Sequence, residues 1–245
     1  MKRDWQALAE KITSWLREQV EKAGAKGLVF GLSGGVDSTT TAALCKRALG
    51  GNTLGLLMPC HSNPADEEDA RLAAETFGIK TEQVDLTPIY DRLLASLPEG
   101  TDIARANLKP RLRMLTLYYF ANSLNYLVVG TGNKSEVICG YFTKFGDGGV
   151  DLLPLGDLLK SEVWELARFL GVPERIIQKT PSAGLWSGQT DEGEMGITYK
   201  ALDAVLTALE EGRPEEVPLA DLEKVQAMRV ASEHKRNMPP ICSLT

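Results

Sequence analysis

Short apolar runs alternate with longer amphipathic stretches through the first half of the chain. Segments 28–30, 54–58, 81–86 and 126–129 predict four strands. Helical spacing or helix-start signals appear at 39–49, from 64 to a stop at Gly78, from 87, and from 110 to about 124. This alternation favours an α/β fold, in which helices cover both faces of a parallel sheet with right-handed crossovers.

Helical spacing also marks both ends of the chain. It predicts helices at 4–23, 160–170, 198–209 and 219–234. Residues 143–160 are rich in Gly and Asp and lack periodicity, and 181–196 is predicted to be a mobile loop around an exposed Trp186. The helix from 110 to 124 has apolar residues on two sides, so we expect it to be largely buried. We treat residues 1–245 as one domain.

The first predicted strand runs into a glycine-rich turn that opens the next helix. The turn reads Gly31-Leu32-Ser33-Gly34-Gly35-Val36-Asp37-Ser38. Backbone N–H groups at a helix start lack intrahelical partners and lie at the positive end of the helix dipole. Glycine lets a ligand approach the main chain, and the serines add hydroxyl groups, so the turn is typical of a phosphate site. The simpler alternative is an ordinary strand-to-helix turn capped by Ser and Asp.

A carboxylate distinguishes this turn from a Walker A loop, in which Lys follows the last glycine. Asp37 beside a phosphate is repulsive unless a cation lies between them, so Asp37 implies Mg²⁺. A second polar turn at 130–136 follows the fourth strand and contributes Glu136. Because parallel strands end at one edge of a sheet, we expect the two turns to meet. Taken alone, Glu136 would more simply be a carboxylate at a helix start.

Composition limits the cellular compartments and the binding partners that we expect for this protein. The formal net charge of −6 argues against nonspecific binding of nucleic acid. No apolar run approaches the ~20 residues that span a bilayer. The 4 cysteines are widely separated and only 2 histidines are present, so neither a disulfide framework nor a zinc site is expected. We therefore expect a protein of the reducing cytoplasm that binds neither nucleic acid nor membrane.

Six segments carry a family resemblance, and they lie at 33–38, 107–114, 130–136, 142–149, 181–196 and 233–236. In order and content the sequence resembles the ammonia-dependent NAD⁺ synthetases of the N-type ATP pyrophosphatase group. The resemblance implies an adenine nucleotide alpha hydrolase-like, Rossmann-like fold. It also implies an enzyme that adenylates the nicotinate carboxylate of deamido-NAD⁺, releases pyrophosphate, and lets ammonia displace AMP.

The resemblance also implies roles for single residues. The residues expected to contact ATP are Gly31, Leu32, Ser33, Gly34, Gly35, Val36, Asp37, Ser38, Thr131, Lys160 and Ser182, of which Asp37 and Ser38 are the expected catalytic residues. The residues expected to contact deamido-NAD⁺ are Arg111, Lys144, Asp151, His234 and Lys235. Asp37 and Glu136 are the expected Mg²⁺ ligands. The family further implies a homodimer with the dinucleotide site at the subunit interface.

Two other functions remain compatible with the sequence. One is another ATP pyrophosphatase that thiolates tRNA or forms GMP, and the other is a nucleotide-binding regulatory module. The acidic charge and the absence of paired cysteines disfavour the tRNA enzyme, and Asp37 together with Glu136 disfavours a module without catalysis.

We expect the chain to use free ammonia rather than glutamine. About 26 residues precede the first strand, which is too few for a separate glutaminase domain. Cys60 and His61 are neighbours at a strand end and should point to opposite faces, which suits no Cys–His pair. Ammonia would then come from solution or from a separate ammonia-supplying protein.

Overall fold

The computed structural model describes residues 3–186 and 188–244; Ser187, within the predicted loop, lies outside the described residues. Its first half comprises α1 (Trp5–Lys22), β1 (Gly27–Gly31), α2 (Val36–Leu49), β2 (Thr53–Leu57), α3 (Pro64–Phe77), β3 (Lys80–Gln83), α4 (Thr87–Leu94), α5 (Asp102–Ala106), α6 (Leu108–Leu124) and β4 (Tyr126–Val129). Its second half comprises α7 (Lys134–Cys139), α8 (Lys160–Leu170), α9 (Glu174–Ile177), α10 (Asp191–Met195), α11 (Tyr199–Glu210), a 3₁₀ turn (Pro214–Glu216), α12 (Leu219–Ala231) and α13 (Glu233–Arg236).

Within the described residues four parallel strands form one sheet in the order β3-β2-β1-β4. Successive side chains of the central strand β1 point to opposite faces. Leu28 and Phe30 therefore pack in the cluster that includes α1, α2 and α8, whereas Val29 packs in the cluster that includes α6. The predicted parallel sheet with helices on both faces is confirmed, and all four predicted strands form, although the third, predicted at 81–86, ends at Gln83.

The C-terminal helices build a third apolar cluster of their own. Leu202 and Val225, from α11 and α12, are fully buried in it together with Cys139 of α7. This cluster lies against α7 and α8. In the described part of the chain, no helix combines the length and apolar character needed to cross a membrane.

The turn between β1 and α2 lies tightly against the start of α3. Gly34 has a φ of +77°, and a Cβ there would lie 2.5 Å from the carbonyl oxygen of Asp66 and 2.7 Å from the amide nitrogen of Ala70. Only glycine tolerates both the left-handed backbone and this close approach. The glycine thus brings the predicted phosphate turn (residues 31–38) and α3 together at the carboxyl edge of the sheet.

Several helix boundaries differ from the sequence predictions. Helix α2 begins three residues earlier than predicted, which puts Asp37 and Ser38 in its first turn. Helix α6 begins at Leu108 and holds Pro110 in its first turn, where the missing N–H has no intrahelical partner to lose. The helix predicted at 219–234 ends at Ala231, and the short α13 follows. Three short helices, α5, α9 and α10, were not predicted, and α10 takes up the end of the predicted loop at 181–196.

The expectation that the helix at 110–124 is largely buried is wrong for this chain alone. Leu117 and Ala121 of α6 are buried against the sheet, but Leu115 is 64% exposed and Tyr119 is 69% exposed. Only one side of α6 has a sheet to cover. Its opposite side presents apolar side chains to solvent.

Candidate active site

A cavity of about 940 Å³ opens at the carboxyl edge of the sheet. The turn after β1, the start of α6 and residues 140–143, 146–147, 179–186, 188–189 and 191 contribute to its walls. This volume is at the upper end of the range for small-molecule sites. The predicted site residues that line it are Gly31, Leu32, Ser33, Gly35, Val36, Asp37, Ser38, Thr131, Glu136, Lys160, Ser182 and Lys235. The predicted ATP and metal residues are therefore brought together, apart from Gly34, which packs against α3.

The phosphate turn is held in shape by its two serines. The hydroxyl oxygens of Ser33 and Ser38 are 3.0 Å apart, and the Ser38 hydroxyl donates to the carbonyl oxygen of Gly35 at 3.0 Å. Gly35 directly precedes α2 and supplies no side-chain cap. The N–H groups in the first turn of α2 are thus left free of a cap beside the cavity, an arrangement suited to a phosphate.

The two strand-to-helix turns meet through one amide side chain. Asn133 Nδ2 donates to Asp37 Oδ1 at 2.9 Å, which joins the turn after β4 to α2. The Asn133 side chain also accepts from the Glu136 N–H at 3.0 Å, while Glu136 Oε2 accepts from the Asn133 N–H at 3.2 Å. This reciprocal capping box fixes Glu136 in the first turn of α7.

A buried ammonium group lies between the two predicted metal ligands. Lys160, the first residue of α8, is 1% exposed. Its Nζ contacts Asp37 Oδ2 and is 3.4 Å from Glu136 Oε1. Asp37 and Glu136 themselves retain 17% and 16% side-chain exposure toward the cavity. One cation therefore serves two carboxylates.

Burial and the neighbouring charges shift the pKa values of Glu136 and Lys160. It raises the pKa of Glu136 to about 7, an effect that Lys160 opposes and Asp37 reinforces. Burial also lowers the pKa of Lys160, but the charges of Asp37 and Glu136 outweigh it and hold that pKa above its usual value. Lys160 is thus charged at neutral pH. Asp37 and Glu136 together carry more negative charge than the single Lys160 ammonium offsets, which favours binding of a further cation.

The sequence analysis missed a second set of residues at this site. The Tyr199 hydroxyl is 3.1 Å from Glu136 Oε1 and 2.9 Å from Asp191 Oδ2. The Tyr141 hydroxyl is 3.1 Å from Asp191 Oδ1 and 2.9 Å from Glu194 Oε2. Burial, with help from the nearby carboxylates, raises the pKa of Tyr199, so it stays a phenol. Tyr199 is 63 positions from Glu136 in the sequence, and no local sequence pattern predicts this contact.

Arg113 is a further missed residue, although it lies in the matched segment 107–114. It lines the cavity, and its Nε donates to the Met58 carbonyl oxygen at 3.3 Å. Among the described residues, no carboxylate lies within ion-pair distance of its guanidinium, and burial lowers its pKa. The sequence signal that could have identified Arg113 as a site residue is its position two residues after Arg111 in the same matched segment. An unpaired guanidinium on a cavity wall suits an anionic ligand.

The residues predicted to contact deamido-NAD⁺ do not all face the cavity. Lys235 lines it, and its Nζ donates to the carbonyl oxygens of Gly140 and Phe142 at 2.7 and 2.9 Å. Arg111, Lys144 and His234 are not among its lining residues. They are neighbours on the adjoining surface, where Arg111 is 3.4 Å from the carbonyl oxygen of Lys144, and the Lys144 ammonium contacts that of His234.

Asp151 is engaged at the end of the sheet. Its Oδ2 accepts from the Val128 N–H at 2.8 Å and its Oδ1 accepts from the Tyr118 hydroxyl at 2.9 Å. It does not line the cavity of this chain. In these contacts it anchors the segment after residue 149 to β4.

The carboxylates of Asp37 and Glu136 suit a hard divalent ion that takes only one or two of its ligands from the protein. Within 3–186 and 188–244, no three His, Cys, Asp or Glu side chains are placed to hold a metal together. Mg²⁺ commonly takes one or two carboxylates and completes its shell with waters and substrate phosphates. Two carboxylates beside a phosphate turn, with excess negative charge, match that pattern.

Comparisons with known proteins match nearly the whole chain to one family. The NAD synthase family matches residues 8–239. The NH(3)-dependent NAD(+) synthetase of Carboxydothermus hydrogenoformans is 54% identical over 98% of this chain and 99% of its own. The structure of an NMN synthetase from Francisella tularensis is similar with a TM-score of 0.92 at 37% identity, covering 99% of this chain and 100% of that one. An NH3-dependent NAD synthetase from Campylobacter jejuni is similar with a TM-score of 0.86 at 32% identity, covering 98% and 100%.

Proposed function

The chain belongs to the NAD synthase family and is an ammonia-dependent ligase, and we propose that its cavity converts deamido-NAD⁺ to NAD⁺ at the expense of ATP. Family membership decides against the tRNA-thiolating, GMP-forming and non-catalytic alternatives. Its fold is of the adenine nucleotide alpha hydrolase-like type. One observation supports placing this reaction in the cavity, namely that two strand-to-helix turns meet there. At this junction Asn133 bonds Asp37, and Lys160 lies between Asp37 and Glu136.

In this proposal the ATP phosphates lie on the turn at 31–38. The N–H groups at the start of α2 and the Ser33 and Ser38 hydroxyls hold the pyrophosphate as it leaves. Lys160, Thr131 and Ser182 contact ATP from the same cavity. The nicotinate carboxylate attacks the α-phosphorus and the bond to the β-phosphate oxygen breaks, which gives acyl-adenylate and pyrophosphate. A carboxylate is a weak nucleophile, so the step depends on alignment and charge neutralisation more than on acid–base catalysis.

Asp37 and Glu136 would hold Mg²⁺ next to these phosphates. When bound, the ion supplies neutralisation of the charge that builds on the departing pyrophosphate. The protein's own part is to keep the two carboxylates in place, through Asn133 on Asp37 and the capping box on Glu136. Lys160 supplies a second, permanent positive charge between them.

Deamido-NAD⁺ would bind on the other side of the cavity. Lys235 reaches the cavity, and Arg111, Lys144 and His234 lie on the surface beside it. Arg111 and Lys235 are suited to its phosphates. We assign Asp151 to the same substrate, at a site that a second copy of the chain completes. A homodimer with a shared dinucleotide site follows from this proposal.

Ammonia itself is the proposed nitrogen donor, and it displaces AMP from the adenylate. Glutamine hydrolysis requires an activated nucleophile such as a Cys beside a base. The Cys60 thiol is buried, and burial raises its pKa, while the His61 ring is engaged by Asp91 at 2.7 Å. That pair is therefore poorly suited to the chemistry. A separate protein that supplies ammonia is compatible with this assignment, and the free cysteines suit a cytoplasmic enzyme.

The test is an assay of amide formation with purified protein, ATP and Mg²⁺. We expect NAD⁺ from deamido-NAD⁺ with ammonium, and at most traces with ammonia-free glutamine. Nicotinate mononucleotide is the second substrate to supply, because the similar Francisella protein is an NMN synthetase. Faster amidation of the mononucleotide would move the assignment to that substrate, comparable rates with glutamine would contradict the ammonia assignment, and failure with both nucleotides would contradict the proposal.

A further inference from the structure

Tyr199 is a fully buried side chain whose hydroxyl contacts two carboxylates at the proposed metal site. We propose that Tyr199 is a positioning residue, which orients Glu136 toward Mg²⁺ and ties that orientation to helix α10. The inference rests on the proposed metal role of Glu136. It adds a residue that neither touches substrate nor belongs to the phosphate turn.

The ring of Tyr199 has little freedom to move. It packs edge-to-face against Trp164, with ring centroids 6.1 Å apart, and its centroid is 4.9 Å from Lys160 Nζ. Its backbone N–H donates to Glu192 Oε1 at 2.8 Å. A tyrosine has only two side-chain torsions to fix, so this packing defines where the hydroxyl lies.

Glu136 depends on that hydroxyl on one side. Its Oε2 is held by the Asn133 N–H at 3.2 Å, whereas its Oε1 is contacted by the Tyr199 hydroxyl at 3.1 Å and by Lys160 at 3.4 Å. Without the hydroxyl, Oε1 would keep only the longer contact. Loss of such a supporting group typically weakens metal binding 10- to 100-fold.

The same hydroxyl reaches the loop that borders the cavity. Its second acceptor, Asp191, is the first residue of α10 and closes the loop at 181–190. A phenol has one hydrogen to share between Glu136 and Asp191. The position of α10 therefore influences how firmly Glu136 is held, which gives the loop a physical connection to the metal ligand.

The test compares Tyr199→Phe with two other variants by Mn²⁺ binding. Free Mn²⁺ is measured by electron paramagnetic resonance in the presence of α,β-methylene ATP, in which the bond to be broken is blocked. We expect about tenfold weaker Mn²⁺ binding for Tyr199→Phe. The matched control is Tyr90→Phe, which removes a buried hydroxyl that bonds the Arg105 carbonyl oxygen at 3.4 Å, and it should bind Mn²⁺ as the wild type does.

The third variant, Glu136→Gln, separates the two proposals. Unchanged Mn²⁺ binding in Glu136→Gln would remove the proposed metal role. Weaker binding there, with wild-type binding in Tyr199→Phe, would overturn the positioning role alone. Replacement of Tyr199 by 4-aminophenylalanine keeps the ring and a donor, so it should bind within about threefold of wild type. It also serves if Tyr199→Phe does not fold, and a tenfold loss there would overturn the inference.

Discussion

At the scale of single residues, the site is organised by a charge imbalance. Asp37 and Glu136 share the Lys160 ammonium, and the buried Asp191 adds a third carboxylate, which the Tyr199 hydroxyl connects to Glu136. Burial raises the pKa of both Glu136 and Asp191, as expected where carboxylates outnumber cations. Such a group is costly to maintain without a ligand, which suits a site that binds a divalent ion.

The first prediction concerns Asp37→Asn. The amide keeps the volume and the acceptor for Lys160 but removes a hard anionic ligand, so we expect kcat to fall by more than about 100-fold. Thermal unfolding should change little, because the amide fills the same volume and Lys160 keeps Glu136 as an ionic partner. The measurement is NAD⁺ formation at limiting Mg²⁺, beside a melting curve.

Glu165→Gln is the matched control for Asp37→Asn. It removes a surface carboxylate from α8 whose partner is Arg168 at 2.6 Å. Its turnover and melting temperature should equal those of the wild type. Near wild-type turnover in Asp37→Asn itself would end the metal assignment for that residue.

The two proposed metal ligands are site residues that a local signature in the sequence predicted, whereas Thr131, Lys160, Ser182 and Lys235 were expected from the family resemblance. Asp37 lies in a glycine turn, and Glu136 lies three residues after the capping residue Asn133, so both could be read from neighbouring positions. Tyr199 and Asp191 come from a helix start and a loop end far along the chain. The contacts of Tyr199 with Glu136 and with Asp191 exist only after the C-terminal helices pack on α7 and α8, and this packing has no local sequence pattern.

At the scale of elements, the segment 179–196 is fixed at three places. Lys179 pairs with Asp66 and Asp69 at 2.7 Å, and Asp191 bonds the tyrosines at its other end. Between them, Lys109 Nζ donates to the Leu185 carbonyl oxygen at 2.7 Å. Lys109 is 6% exposed, has no carboxylate within ion-pair distance among the described residues, and burial lowers its pKa. Burial of a charge without an ionic partner is costly, so the hydrogen bond from Lys109 to Leu185 defines one specific position for the middle of this segment.

The second prediction is that this segment is a lid with Lys109 as its central anchor. Chymotrypsin should cut the free protein near Trp186, which is 45% exposed, and ATP with deamido-NAD⁺ should protect it. Lys109→Met keeps the volume and loses a charge-assisted hydrogen bond, so opening and cleavage should be about tenfold faster. Fragments identified by mass spectrometry give the rate.

Lys46→Met is the control, because it removes a half-buried lysine that bonds the Gly78 carbonyl oxygen, far from the lid segment. It should be cut at the wild-type rate. Equal cleavage of the wild type with and without substrates would argue against a lid. Equal cleavage of Lys109→Met and wild type would leave the lid without this anchor.

The elements themselves differ in how far sequence determined them. The strands β1 and β2 were predictable because a central parallel strand is buried on both faces and must be apolar. The edge strand β4 was predictable from its apolar run, of which Val128 and Val129 are buried. Helix α10 was not, since Asp191–Met195 spans five residues, includes a glycine, and is defined by Thr190 capping Gly193 and by burial of Met195. A helix that short has no periodicity to detect.

At the scale of the whole molecule, α6 connects the substrate residues to an exposed apolar face. Arg111, Leu115 and Tyr119 are spaced by four and so lie on one side of the helix. The exposure of Leu115 and Tyr119, which contradicts the burial expected from sequence, is what a surface covered by a second copy would show before assembly. Sequence predicted apolar character on this side, but whether the chain itself or another copy covers it depends on packing alone.

The last prediction is that α6 forms the interface of a homodimer and that the dinucleotide site depends on it. Tyr119→Asp places a charge at the centre of this face, so we expect a monomer by light scattering at micromolar concentration. Because the ATP cavity is lined within one chain, KM for ATP should stay within about threefold, whereas KM for deamido-NAD⁺ should rise at least about tenfold through loss of the shared surface beside Arg111. Leu219→Asp is the control, since Leu219 is 66% exposed at the start of α12, where a carboxylate is favourable, and it should leave both assembly and KM unchanged. A monomeric wild type with full activity would refute the shared site, and a monomeric Tyr119→Asp with wild-type KM for both substrates would separate assembly from catalysis.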